Sequence, residues 1–215
     1  MTKHSYYLII LFTLLSTILS GCTTKPSNDS SILIIEQSAK HRTIQLTQVK
    51  QWHLRGKIAF IEQHKNKKNK RQSATIAWRV NEINRTQELN LTSYLGINVL
   101  HLASEHNHHL IKVDGKEYRA NNLAQLVHSL TGLTLPTKAL TFWLKGLPYQ
   151  STDEVKLSPT TQLPASLHSF SDNVQWQIDY NKYQIFDGVP MATQFTIKKD
   201  NLLIKIAIKK WSLTH

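Results

Sequence analysis

One cysteine in 215 residues, Cys22, excludes an intramolecular disulfide and any cysteine-rich metal centre. Acidic residues are also scarce. Fourteen Asp and Glu stand against 26 Lys and Arg, a net charge of +12 with histidines neutral. Such a balance points to nucleic acid, anionic lipid or an acidic protein as partner. The chemistry-bearing motifs are missing as well: there is no GxSxG, HExxH, CxxC, P-loop or GxGxxG. Asp153 and Glu154 are adjacent carboxylates, but chain neighbours rarely converge on one substrate, and a solvated loop accounts for them. His106, His108 and His109 in EHNHH form the best metal candidate. The first two would share a strand face, yet no third ligand is evident, and a polar hairpin tip explains the cluster. The sequence predicts no enzyme, no cofactor and no metal.

What is present begins at the N-terminus. Lys3 and His4 precede an apolar run from Leu8 to Leu19, interrupted only by Thr13, Ser16 and Thr17. The run is too short to span a bilayer and matches the core of a secretory signal. It ends in Leu19-Ser20-Gly21-Cys22, where small residues let the chain lie extended in a peptidase groove and the thiol can be acylated. An ordinary cleaved signal with an incidental cysteine is the alternative. The four residues resemble a bacterial lipobox, which implies cleavage after residue 21, a diacylglyceryl thioether on Cys22 and a third acyl chain (typically palmitate) on its amine. Residue 23 is Thr rather than Asp, which by the same resemblance implies the outer membrane, facing the periplasm. Export also argues against a nucleic-acid partner.

Removal of residues 1–21 takes away Lys3 and no acid, so the mature charge falls from +12 to +11. Residues 22–31 are polar with Pro26 and read as a lipidated flexible tether. Residues 32–215 suit a single domain with a sizeable core. His64 to Arg71 carries five Lys or Arg and no acid. It reads as a solvated hairpin loop, or as an attractor for anionic headgroups or an acidic partner.

Ile32 to Val49 shows mixed helical spacing through Ile34, Ile35, Ala39, Ile44, Leu46 and Val49, and predicts an N-terminal helix. The period then changes to two. Trp52, Leu54, Gly56, Ile58 and Phe60 alternate with His53, Arg55, Lys57 and Ala59, as Ala74, Ile76 and Trp78 do with Thr75, Ala77 and Arg79, and Leu89 and Leu91 with Glu88, Asn90 and Thr92; Leu100 and Leu102 follow. Leu110 to Val113, a turn at Asp114-Gly115 and Lys116 to Ala120 complete an antiparallel meander. Leu123, Leu126, Val127 and Leu130 fall on one helical face, capped by Asn121 or Asn122 and ended by Gly132. A second short helix carries Leu140, Trp143 and Leu144 and stops at Gly146 and Pro148. Strands return around Trp176, Ile178 and Tyr180, around Phe195 and Ile197, and at Ile204, Ile206 and Ile208.

The predicted fold is therefore mainly β with inserted helices (α+β), a long curved antiparallel sheet of roughly nine to eleven strands. Two or three short helices are too little cover for such a sheet, so an incompletely filled apolar interior is expected. Candidate cavity residues on the first strands are Ile58, Phe60, Ile76, Trp78, Leu89, Leu91 and Leu100. Leu126, Leu130, Trp143 and Leu144 follow on the helices, and Trp176, Ile178 and Ile206 on the late strands. Each serves equally well as ordinary core.

Ser93-Tyr94-Leu95-Gly96-Ile97 is an unusual turn, since turns normally take polar residues. Either Leu95 folds back into the core, or Tyr94, Leu95 and Gly96 form an exposed apolar tip for lipid or a partner.

An ordered set of segments carries a family resemblance across nearly the whole chain. It comprises the lipobox, Leu54-Arg55-Gly56-Lys57-Ile58-Ala59, Ala77-Trp78, Leu91 to Gly96, Tyr118-Arg119-Ala120, and Leu130 to Pro136. It continues with Trp143 to Pro148, Trp176 to Tyr180 and the final Ile-Lys alternation before Trp211. This set resembles the LolB family of outer-membrane lipoprotein receptors. The resemblance implies a half-open antiparallel β-barrel with an apolar acyl-chain cavity under a helical lid. It also implies receipt of lipoproteins from a soluble LolA-like periplasmic carrier and their insertion into outer-membrane phospholipid by a monomer. Leu95 matches the family's exposed apolar loop residue. Tyr94 stands where a proline often precedes that leucine, and the 64–71 loop is long for the family. The competing readings are a structural or adaptor lipoprotein with a packed core, and a binder of another amphiphile.

Overall fold

A computed structural model describes residues 39–64, 68–131, 135–171 and 174–214. The signal peptide, Cys22, the tether, Ile34 and Ile35 of the predicted first helix, residues 65–67 of the basic loop and the Gly132 cap lie outside the described residues. Helix α1 (Ala39–Gln48) leads into six consecutive strands: β1 (Gln51–Glu62), β2 (Lys70–Asn81), β3 (Thr86–Thr92), β4 (Asn98–Glu105), β5 (His108–Val113) and β6 (Lys116–Ala120). Helices α2 (Leu123–Thr131) and α3 (Thr137–Trp143) follow. Five strands close the chain: β7 (Glu154–Leu157), β8 (Pro164–Ser171), β9 (Val174–Phe186), β10 (Val189–Lys199) and β11 (Leu202–Thr214).

All eleven strands join one antiparallel sheet in the order β6-β5-β4-β3-β2-β1-β11-β10-β9-β8-β7. The last strand pairs with the first, so two meanders share one seam between β1 and β11. The sheet is open, with β6 and β7 at its two edges. Between those edges in sequence run α2 and α3, which pack on the inner face. Leu123 and Leu126 of α2 pack on Leu102 and Ile111, while Ala139 and Trp143 of α3 join the main core.

The predicted alternation holds along β1, where Trp52, Leu54, Gly56 and Ile58 are buried. The core gathers there. Trp52 meets Trp78 and Trp211 edge-on, with ring centroids 5.3 and 5.6 Å apart, a favoured aromatic geometry. The Asp114-Gly115 turn has φ of 51° and 74°, the doubly positive pattern of a two-residue hairpin loop. Asn122 caps α2 by accepting from the Gln125 N–H at 3.1 Å.

The first helix differs from its expected pattern. Leu46 and Val49 are buried as expected, but Ile44 is exposed and Arg42 occupies the inner face at 2 % exposure. Arg42 is held because its guanidinium donates to the carbonyls of Pro190 (3.0 Å) and Lys145 (2.9 Å). Two buried backbone acceptors are thereby satisfied by one side chain. Lys145, also 2 % exposed, donates to Glu82 at 2.9 Å and to the Val49 carbonyl at 3.4 Å. Together they fasten α1 and the end of α3 to opposite halves of the sheet. Lys145→Met should lower stability by about 2 kcal/mol, because the Val49 carbonyl loses the Lys145 donor and Glu82 keeps only the longer contact with Lys50 at 3.9 Å. A denaturant midpoint checks this, and adding Glu82→Leu should recover part of the loss.

Asp153 likewise corrects the solvated-loop expectation. Its Oδ2 accepts from Trp143 Nε1 at 3.1 Å, the Tyr149 N–H at 2.8 Å and the Gln150 N–H at 3.3 Å. Burial pushes its carboxyl up, but these bonds and one involving Ser169 outweigh that and leave it below the usual range. Glu154 is exposed at the start of β7.

Candidate functional site

Strand register sorts the inner face into rows. Leu54, Trp78, Leu89, Leu102 and Ile111 lie side by side across β1 to β5. One step toward the β1–β2 hairpin end, the next row is Gly56, Ile76, Leu91, Leu100 and Val113. One step the other way, the row is Trp52, Val80, Gln87, Ser104 and His109. These three rows have different characters. The central one is mostly buried under the helices, whereas Leu91, Leu100 and Val113 in the second are only half-buried. The third turns polar from β3 onward.

The cavity candidates divide along these lines. Ile58, Ile76, Trp78, Trp143, Leu144, Trp176, Ile178 and Ile206 are buried in the main core, with Leu126 buried in the smaller cluster under α2. Trp143 and Trp176 pack tilted with centroids 5.9 Å apart. Phe60, Leu89, Leu91, Leu100 and Leu130 are half-buried against those clusters, and Leu89 touches both. By register Leu89, Leu91 and Leu100 adjoin one another on β3 and β4, with Leu130 of α2 on the same cluster, as a half-buried apolar trough, while Phe60 lies two rows further along β1. The trough is the part of the inner face that can gain contacts from a ligand without first losing packed ones.

The polar row closes the opposite end. Trp78 Nε1 donates to Gln87 Oε1 at 3.2 Å, Gln87 Nε2 to Ser104 Oγ at 3.5 Å, and Ser104 Oγ lies 2.9 Å from His109 Nδ1. A groove of about 630 Å³ opens there between the sheet end and α2 and α3. Sequence reasoning missed this chain, since Gln87 and Ser104 look like ordinary strand polars. His109 is engaged in it. Burial, then Lys138 and His108, lower its pKa. His106 sits in the β4–β5 turn at φ 55°, not on a strand face shared with His108. Among the described residues no three His, Cys, Asp or Glu come together as metal ligands.

The turn after β3 is built to present side chains outward. The Ser93 carbonyl accepts from the Gly96 N–H at 3.0 Å, and Ser93 pairs with Ile97 through its N–H (2.8 Å) and its Oγ (3.3 Å). Gly96 has φ +79°, open to glycine at little cost. Tyr94 and Leu95 therefore occupy the two central turn positions. They are 99 % and 80 % exposed, and Ile97 and Val99 behind them are 64 % and 42 % exposed. Leu95 does not fold back into the core. The tip also adjoins the trough, because Leu91 in the half-buried row is one residue before the end of β3.

The chain that carries these features has relatives. The model of the family described as outer membrane lipoprotein LolB matches residues 50–211. The chain belongs to the LolB family. The outer-membrane lipoprotein LolB of Aeromonas hydrophila is 32 % identical over 97 % of this chain and 98 % of its own length. That of Tolumonas auensis is 30 % identical over 98 % of each. Among solved structures, a domain assigned to outer membrane lipoprotein sorting from Vibrio parahaemolyticus superposes with TM-score 0.53 at 7 % identity, over 82 % of this chain and 90 % of that one. A LolA superfamily protein from Nitrosomonas europaea gives 0.50 at 7 % identity, over 83 % and 94 %. At such identity these neighbours establish the fold, an open antiparallel sheet with three helices among the described residues. Family membership makes this LolB-family chain an outer-membrane lipoprotein with a role in lipoprotein sorting, and not an enzyme. Among the described residues no helix is long and apolar enough to cross a membrane.

Proposed function

We propose that this protein accepts lipoproteins from a soluble LolA-like periplasmic carrier and inserts them into outer-membrane phospholipid. It holds their acyl chains against the half-buried trough. Cys22 carries the protein's own lipid anchor, residues 22–31 act as the tether, and residues 32–215 work as a monomeric receptor domain. The observation that carries this reading is the continuity between the half-buried row at Leu91 and Leu100 and the exposed tip at Tyr94 and Leu95.

Energetics limit how the cargo must be held. With no nucleotide to drive release, transfer runs downhill in affinity. Each buried methylene contributes about 0.8 kcal/mol, so complete burial of three long chains would bind too tightly to let go. A trough that covers chains partly leaves the bilayer as the better solvent. The buried tryptophans then serve as a rigid floor, and Phe60, Leu91, Leu100 and Leu130 as the contact surface.

The decisive experiment is transfer of a labelled lipoprotein from loaded carrier to the purified protein. Stoichiometric transfer supports the reading, and no transfer to a folded protein defeats it. Leu91→Asp with Leu100→Asp should weaken cargo uptake on the order of 100-fold, since two apolar contacts worth about 1.5 kcal/mol each become charged. Circular dichroism checks that the fold survives, which half-burial at both positions favours.

A further inference from the structure

The outer face of the seam carries a second feature. Strand pairing sets Lys57 between Ala207 and Thr75, Ala59 between Lys205 and Ser73, and Ile61 beside Arg71. All these positions alternate with the inward-facing Ile58, Ala74 and Ile206. Ala59 is thus a one-carbon side chain amid three long cations, with opposite Cβ atoms about 5 Å apart. The gap is a depression of about 440 Å³, floored by Ala59, Ser73, Thr75 and Ala207, and Tyr94 lines it from the tip. No carboxylate lines it. Among the described residues, Lys57, Arg71 and Lys205 have no ion-pair partner, whereas Lys50, Arg79, Lys112, Arg119, Lys145 and Lys198 each have one.

We infer that this depression docks the protein on anionic phospholipid, taking a headgroup phosphate among Lys57, Arg71 and Lys205 beside the Tyr94 ring. The inference deepens the proposed function and rests on its reading of the tip as membrane-facing. Its basis is charge complementarity joined to position. The cationic depression and Leu95 share Tyr94 as a common wall, so a bilayer that meets one meets the other. Three cations around one depression beside one apolar wedge also define an orientation, which a wedge alone does not.

The test sediments the whole mature chain carrying Cys22→Ala, which has no acyl anchor, with vesicles of phosphatidylglycerol-rich or pure phosphatidylcholine composition. Preferential binding to the anionic vesicles, screened by salt, is expected. Lys57→Gln, Arg71→Gln and Lys205→Gln together should reduce that binding on the order of 100-fold, at roughly fivefold per charge. Uptake of cargo from the carrier without vesicles should be unchanged. Wild-type binding by the triple variant, or equal binding to both vesicle types, overturns the inference. So does loss of carrier-dependent uptake in the triple variant, which would make the surface a protein contact. Leu95→Glu separates the two readings. If it abolishes delivery while the triple variant binds normally, docking falls and the tip reading stands.

Discussion

Leu95→Glu is expected to leave uptake of cargo from the carrier intact while stopping delivery to the membrane. The turn that presents Leu95 is closed by backbone bonds and by Ser93, none of which uses the Leu95 side chain. At 80 % exposure the leucine makes little packing that a glutamate would disrupt. The folded protein and its trough should therefore be unaffected, with an unchanged unfolding midpoint. The membrane step is different. Burying a leucine gains about 2 kcal/mol, and forcing an ionised carboxylate to the same depth costs at least as much. A drop in delivery on the order of 100-fold or more follows. Two measurements check it: cargo bound to the variant after incubation with loaded carrier, and cargo then recovered in vesicles. If uptake and delivery are both normal, the tip has no role in insertion. If uptake fails first, Leu95 meets the carrier instead. Leu95→Ile, apolar and of equal volume, should behave as wild type.

How much of this was legible in the sequence depends on the kind of signal. The first meander and α2 could be read directly, because one-sided burial imposes period two on Trp52 to Phe60 and helical spacing on Leu123 to Leu130. The exposed tip was legible as an anomaly, apolar residues at turn centres, though its direction was not. Only the structure shows Leu95 outside and Ile44 exposed. Strands β7 and β8 escaped for a physical reason. β7 lies at the sheet edge, β8 begins at Pro164, and β8 reads Pro-Ala-Ser-Leu-His-Ser-Phe, where small polar residues such as the buried Ser169 blur the alternation. Arg42 and Lys145 were hidden more deeply. A long cation reads as surface unless its partners are known, and theirs are backbone carbonyls 148 and 103 residues away for Arg42 and Glu82 for Lys145. The trough poses a related problem. Alternation marks Ile76 and Leu91 identically, yet one is buried in the core and the other half-buried, a difference set by neighbours from distant elements that alternation does not encode.

Gly56→Ala should cost about 3 kcal/mol or more, the largest loss expected from adding a single methyl group to this fold. Gly56 lies on the inner face of β1, where the register with β11 slips between Arg55 and Gly56. A Cβ built there would stand 2.2 Å from the Ala207 carbonyl oxygen and 2.8 Å from Ile208 Cα. Both are backbone atoms of a paired strand, so neither can rotate away. Relief requires β1 and β11 to separate, and that seam is what joins the two meanders into one sheet. Overpacking of this kind commonly costs 1–3 kcal/mol where side chains can adjust. Here they cannot, which places the loss at the upper end. The measurement is a denaturant midpoint beside that of Gly96→Ala, where no atom lies within 4 Å and only the φ of +79° is strained. Gly96→Ala should cost about 1 kcal/mol. A Gly56→Ala protein as stable as wild type would mean that the β1–β11 seam gives way to a methyl group at little cost. The inner face would then flex along the line between its two halves, and a trough that widens there would no longer owe its partial coverage to a rigid floor.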